Sequence, residues 1–328
     1  MKILVIGAGA IGSLMIHYLC RAGNDVTVLA RRTADELRGN GLVVRHYLQH
    51  KTTTDHPTVV DSVPTDERFD IVFSVMQGQQ QKAVLPTLFA VKTRLIVVVG
   101  NNPEADFCQN QILANRTDNC PLLFGFQLSA GHREGGKAVV GRLPKTELFI
   151  GGLHGAASPD AVSMVSRAFP AKGWKVTPLD DMHGFYLCHA AEILPYAYMC
   201  YKVGCQLKRL KRRDIKLIVR ASDECFKYLK NLGVSIMPKN EDDFYRGGPK
   251  TCAMFLLYRL MSKTVLGRLM VSDHCKSGIE EMIYIDRKFD EFRALHPGRP
   301  MPVWDEIRRF MPKSEADFQK LIAKAQTN

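Results

Sequence analysis

The 328-residue chain contains no run of 18 or more consecutive apolar residues; its longest apolar stretches, such as Leu95 to Val99, are of strand length. A bilayer-crossing helix needs about 20 such residues, so no membrane span is expected. The nine cysteines, scattered from Cys20 to Cys275, include no C-x-x-C pair. An odd, scattered set suits reduced thiols in a cytosol and argues against a disulfide framework. Internal repeats and low-complexity segments are missing, and the composition excludes disorder, collagen and coiled coil as the main architecture. Acidic residues are scarce: 33 against 45 Lys plus Arg, for a net charge of +12. Such a balance concentrates anionic ligands near the surface. It comes without a nucleic-acid reading motif or interleaved aromatics, so no nucleic-acid partner is expected. The apolar opening, Met1 to Ala10, runs into glycines rather than the layout of a signal peptide, and a cytoplasmic protein is expected.

What is present is an ordinary globular composition, 46% hydrophobic and 24% charged. At about 150 residues per domain, the length suggests two domains. Lys2 to Ile6 form a β-rich apolar run, followed at once by Gly7-Ala8-Gly9-Ala10-Ile11-Gly12. From there the spacing becomes helical through Ile11, Leu14, Met15, Tyr18 and Leu19, ends near Gly23, and is followed by a second strand at Val26 to Leu29. Further strands are predicted at Gly41 to Val44, Ile71 to Val75 and Leu95 to Val99, with a helix over Gln79 to Leu88. Strands alternating with helices predict a doubly wound parallel sheet. The Gly-rich stretch from Pro121 to Gly152, with short β runs at Ala138 to Val140 and Glu147 to Ile150, predicts a mixed edge that closes this sheet, ending around Trp174 to Val176.

After Asp181 the pattern is helical: Phe185 to Cys205, Ile215 to Leu232, Cys252 to Met270 and Gly278 to Leu295 repeat at three- and four-residue spacing. The fold class expected is α/β, a Rossmann-type doubly wound sheet over residues 1–178 followed by an all-α domain over 179–328. The segment Phe255 to Met270 is read as a core-facing amphipathic helix. The basic run Lys208 to Lys216 is read as a solvated face.

A G-x-G-x-x-G gains specificity when it lies between a strand and a helix, as here. Gly7 permits the tight turn, Gly9 close approach of a pyrophosphate, and Gly12 close packing of helix on strand; the helix N-terminus then binds phosphate. The second strand ends in Leu29-Ala30-Arg31-Arg32, about 20 residues further on, where an NAD enzyme has an acidic residue for the ribose 2′-hydroxyl. Two arginines instead favour the 2′-phosphate of NADPH.

With these features the chain resembles the ketopantoate reductase family over essentially its full length. The opening MKILVIGAGAIGSLMIHYLCRAGNDVTVLARR, the segment GFQLSAGHREGGKAVVGRLPKTELFIGG and the helical second half carry the resemblance. It implies NADPH-dependent reduction of a small anionic 2-keto acid, by a homodimer. Residue by residue, the resemblance places cofactor contacts at Gly7, Ala8, Gly9, Ala10, Ile11, Gly12, Arg31, Arg32, Gln77 and Asn101. It assigns catalytic or positioning roles to Asn101 and Glu281. The family's catalytic lysine aligns with His189, and the asparagine one turn later with Ile193, so the chain resembles a divergent member whose lysine has been replaced.

Hydride addition to a ketone needs a proton or hydrogen bond for the developing alkoxide. His189, with an ordinary pKa near 6.5, suits that role, and Glu192 one turn on is expected to orient the imidazole or raise its pKa. A nucleotide-binding protein that has lost hydride transfer is the alternative. His46, His50 and His56 lack metal-ligand spacing, and no metal site is expected.

Overall fold

Short β-branched runs fold as the buried strands of a parallel sheet because helices cover both faces and leave no polar side to alternate with. In the computed structural model, which describes residues 1–326, Ile3, Leu4 and Val5 and all of Ile71–Val75 are buried in this way. The chain divides into two units, residues 1–182 and 183 onward, with the division in the first turn of the helix Met182–Lys202.

The first unit holds an eight-stranded sheet. Its spatial order is Trp174–Pro178, Thr146–Gly151, Leu122–Leu128, Ile96–Val99, Ile71–Val75, Lys2–Ile6, Asp25–Leu29 and Thr58–Val60. Leu122–Leu128 and Thr146–Gly151 run antiparallel; every other neighbouring pair is parallel. Lys2–Ile6 pairs on one side with Asp25–Leu29 (Ile3 opposite Val26) and on the other with Ile71–Val75 (Ile3 opposite Ile71). The chain reverses its direction of travel between these neighbours, and such a switch point opens a crevice at the carboxyl ends of the strands.

Two sequence expectations need correction here. The strands at Leu42–His46 and Lys137–Gly141 do not join the main sheet. They pair with each other, Ala138 opposite Val44, in a separate sheet ordered Ala130–Glu134, Lys137–Gly141, Leu42–His46, Lys51–Asp55. The hairpin that makes this possible turns at Gly135 and Gly136, both at positive φ. This second sheet and the main one both pack on the helix Ala10–Arg21, so Gly12 through Leu19 are all buried, where periodicity alone indicated a single apolar face.

The second unit is helical. Its main helices are Met182–Lys202, Arg212–Asn231, Pro249–Met261 and Ile279–Leu295, followed by Pro302–Arg308 and Glu315–Gln326. Tyr198, Tyr201, Phe226 and Trp304 fill its core. The expected helix from Cys252 to Met270 is broken after Met261. The chain turns so tightly there that a Cβ on Gly267 would lie 2.0 Å from the Met261 carbonyl oxygen. It continues as the short turn Val265–Gly267 and a wider turn at Arg268–Ser272. The segment keeps a core face, with Tyr258 buried and Phe255 and Met261 packed on the core, while Leu256 and Leu260 on its outer side are 61% and 63% exposed.

Candidate functional site

At the carboxyl end of Lys2–Ile6 the chain turns into Ala10–Arg21 through the three glycines, and each meets a different constraint. Gly7 has φ +102, and a Cβ there would fall 2.4 Å from the Val75 carbonyl oxygen. A Cβ on Gly12 would fall 2.2 Å from the Gly7 carbonyl oxygen, so the helix begins in backbone contact with the turn. A Cβ on Gly9 would meet nothing within 4 Å. Two glycines thus serve the fold, whereas the third keeps open the surface in front of the helix N-terminus. Gly9 is itself the N-terminal cap, so no side chain occupies the first-turn N–H groups, which with the helix dipole suit an anion. Ala8 is buried against the strand, and Ala10 and Ile11 are half-buried in the first turn. The arrangement fits a dinucleotide pyrophosphate.

The neighbouring strand ends converge on this turn. Gly100, at φ +131, approaches so closely that a Cβ would lie 2.5 Å from the Met76 carbonyl oxygen, and the Met76 sulfur lies 2.7 Å from the Cβ position of Gly7. Gln77, which caps the helix Gly78–Ala90 and accepts a hydrogen bond from Gln79 at 3.0 Å, and Asn101 therefore flank the glycine turn. Asn102 is buried, and its side-chain nitrogen has no partner among the described residues. Arg31 and Arg32 are both exposed just beyond Asp25–Leu29.

Arg133 was given no role by the sequence. From the second sheet it reaches back to donate to the Ala8 carbonyl oxygen (3.1 Å) and the Ser13 hydroxyl (3.3 Å), and it pairs with Glu36. It therefore clamps the glycine turn. Its one signal in the sequence is its place in the segment GFQLSAGHREGGKAVVGRLPKTELFIGG, whose spacing says nothing about where the hairpin docks.

The second unit carries His189 and Glu281. The His189 ring stacks on Phe185, with centroids 5.8 Å apart and planes 6° apart, and its Nδ1 lies 3.9 Å from Glu192 Oε2. The expectation that Glu192 raises the imidazole pKa is reversed. Burial, and next the charge of His274, push His189 down to about 3, while burial and the neighbouring Glu241 drive Glu192 well above the usual carboxyl range. Burial disfavours the charged form of each, which weakens any ion pair between them. His274 and Glu241, distant in sequence, are the residues missed at this cluster. Glu281 is 5% exposed in the first turn of Ile279–Leu295, folded back toward Gly278. Within the first unit the structure thus brings Gly7 to Gly12, Gln77 and Asn101 together; within the second it joins His189 to Glu192.

Residues 3–144 match the family model described as ketopantoate reductase PanE/ApbA. Solved structures share the fold over nearly the whole chain. The 2-dehydropantoate 2-reductase from Geobacter metallireducens GS-15 superposes with a TM-score of 0.67 at 16% identity, covering 95% of this chain and 99% of that one. A D-mandelate dehydrogenase solved with NADH and anilino(oxo)acetate gives 0.66 at 14% identity, covering 98% and 99%. The 2-dehydropantoate 2-reductase from Methylococcus capsulatus gives 0.60 at 17% identity, covering 97% and 98%.

Proposed function

We propose, from the match of residues 3–144 to the ketopantoate reductase PanE/ApbA family model, that the chain is an NADPH-dependent reductase of a small anionic 2-oxo acid. The observation that carries the reading is Gly9: an open backbone position before a helix N-terminus, at the switch point of a parallel sheet, held by two glycines that tolerate no side chain. When bound, the nicotinamide cofactor supplies hydride to the carbonyl carbon.

The protein's own groups do the rest. The N–H groups from Gly9 to Gly12 hold the pyrophosphate, with Ala8, Ala10 and Ile11 setting the turn. Arg31 and Arg32 bind the 2′-phosphate, where charge-assisted bonds worth about 1.5–3 kcal/mol each give tenfold or greater preference over NADH. Gln77 and Asn101 border the nicotinamide end, and Glu281 positions substrate and ribose. His189 acts as a neutral imidazole whose N–H donates to the carbonyl oxygen, a task that does not require a cation.

Equilibrium titration of NADPH and NADH against wild type and Arg31→Ala, followed by a rate screen over 2-oxo acids including ketopantoate, tests this. We expect tighter NADPH binding that Arg31→Ala weakens, and turnover of at least one acid. Equal affinity of wild type for both cofactors overturns the NADPH assignment. A wild type that binds cofactor yet reduces no acid favours the second reading, a nucleotide-binding protein without hydride transfer. The resemblance sets His189, which burial holds uncharged near neutrality, where the family carries its lysine, and a lost cation there would favour that alternative.

A further inference from the structure

The helix Pro249–Met261 and the turn after it leave an apolar strip in solvent. Of the ten large apolar side chains exposed among the described residues, four fall here: Leu256, Leu257, Leu260 and Val265. Leu260 lies four residues from Leu256 and three from Leu257, so the three leucines share one helix face. The charge around this strip is of one sign. No acidic residue occurs between Asp243 and Asp273, a stretch that holds Arg246, Lys250, Arg259, Lys263 and Arg268. The two flanking acids are engaged: Asp243 pairs with Arg246 (2.6 Å) and Lys250 (2.8 Å), and Asp273 with Arg268 (3.7 Å). A second acid-free stretch, between Glu192 and Asp214, carries Lys208, Arg209, Lys211, Arg212 and Arg213, all exposed. Asp214 itself is buried against Lys202 at 2.7 Å. The two stretches meet in space. Lys263 Nζ donates to the carbonyl oxygens of Lys208 and, at 3.2 Å, Leu210, and the Arg212 guanidinium lies 5.8 Å from the Phe255 ring. The basic run that the sequence left as a solvated face is therefore the border of the leucine strip.

We propose that this face of the helical unit docks the protein on a membrane surface rich in anionic phospholipid. Exposed apolar patches rimmed by polar residues mark interaction sites, and here the chemistry of the rim selects the occupant. A second copy of the chain would set two acid-free basic borders against each other, which like-charge repulsion opposes. An anionic lipid layer satisfies both halves of the surface. Leu256, Leu257, Leu260 and Val265 enter the boundary between headgroups and acyl chains, and the basic side chains keep their heads among the lipid phosphates. No helix among the described residues is long and apolar enough to cross a membrane, so the contact is with the surface alone. The proposal stands on the second unit by itself and is independent of the reductase reading.

Co-sedimentation of the full-length protein with vesicles tests this. The protein should bind vesicles made of equal parts phosphatidylcholine and phosphatidylserine, more weakly as salt rises, and should stay in solution with phosphatidylcholine alone. Lys208→Glu combined with Arg213→Glu should lower the binding by roughly tenfold or more, the joint effect of two basic residues at an anionic surface. Leu256→Ser combined with Leu260→Ser should lower it by a similar factor while the melting temperature holds, because both positions are exposed. Leu295→Ser, at an exposed position outside the strip, should bind as wild type does. Wild type that leaves both kinds of vesicle unbound overturns the proposal. Light scattering that shows a dimer, broken by the leucine pair and indifferent to vesicles, overturns it in favour of a second copy. Binding to the acidic vesicles that the leucine pair leaves unchanged reduces the contact to general adsorption of a chain with net charge +12, and this also overturns docking through the strip.

Discussion

Gly9 and Gly12 are both glycines of one motif, yet the space around them separates their roles. A side chain on Gly9 enters open space, whereas one on Gly12 starts 2.2 Å from a backbone oxygen. Gly9→Val should therefore keep the wild-type melting temperature and lose NADPH binding. Gly12→Val should lose stability by about 1–3 kcal/mol, as overpacking usually does, with cofactor binding falling as a consequence. Calorimetry beside fluorescence titration separates the two, and a folded Gly9→Val protein that still binds NADPH would sink the assignment of the turn. An imidazole with the ordinary histidine pKa would give a rate that falls as pH rises through that value. Because burial holds the folded value of His189 near 3, the rate should instead show no inflection near pH 6.5. His189→Ala should lower it by roughly 10²- to 10⁴-fold. An inflection near 6.5 that disappears in His189→Ala would show that the imidazole charges in the working enzyme.

Elements of the second unit are held together by a few polar contacts set in an aromatic core. Asp286 on Ile279–Leu295 accepts from the Tyr198 hydroxyl at 2.6 Å and from Arg308 Nε and Nη2 at 2.9 Å each, tying three helices. Arg308→Leu leaves the Asp286 carboxylate, whose side chain is 10% exposed, without its cation. The expected loss is about 3 kcal/mol, the lower end for breaking a buried pair, since Arg308 itself is 30% exposed. On Pro249–Met261 the opposite holds. Leu260→Ser at a 63% exposed position should change stability by about 0.5 kcal/mol or less. Urea titration of both variants checks the contrast, and equal losses would mean that the outer face of this helix is packed after all.

For the molecule as a whole, acid response follows from histidines kept neutral in the folded state. Burial, and then the Arg142 charge, hold His46 down at about 4, and it is hydrogen-bonded to Thr53 at 3.0 Å and to Arg142 Nε at 3.0 Å. Its unfolded value is near 6.5, so the unfolded chain binds the extra proton first. The stability His46 contributes is fully present above pH 6.5 and is lost as pH falls toward 4. Glu192 and Glu241, raised in the folded state, act with the opposite sign: their contribution is present below the unfolded carboxyl value and is lost as pH rises above it. Melting temperatures of wild type and His46→Gln between pH 6.5 and 4 should converge as pH falls, because the variant lacks the group that charges. Parallel curves would remove His46 from the acid response.

The sequence alone determined what depends on neighbours along the chain. The strand, turn and helix around Gly7 to Gly12, the alternation that makes a parallel sheet, the arginines after the second strand and the helical second half were all legible, because local backbone chemistry and periodicity encode them. Only the tertiary structure decided which surfaces meet. It set Leu42–His46 beside Lys137–Gly141 in a second sheet, brought Arg133 onto the Ala8 carbonyl, turned Leu256 and Leu260 outward, and placed Glu241 against Glu192. The charge state of His189 belongs to this second class, since it is fixed by how much water the surrounding helices exclude, and no spacing along the chain records that.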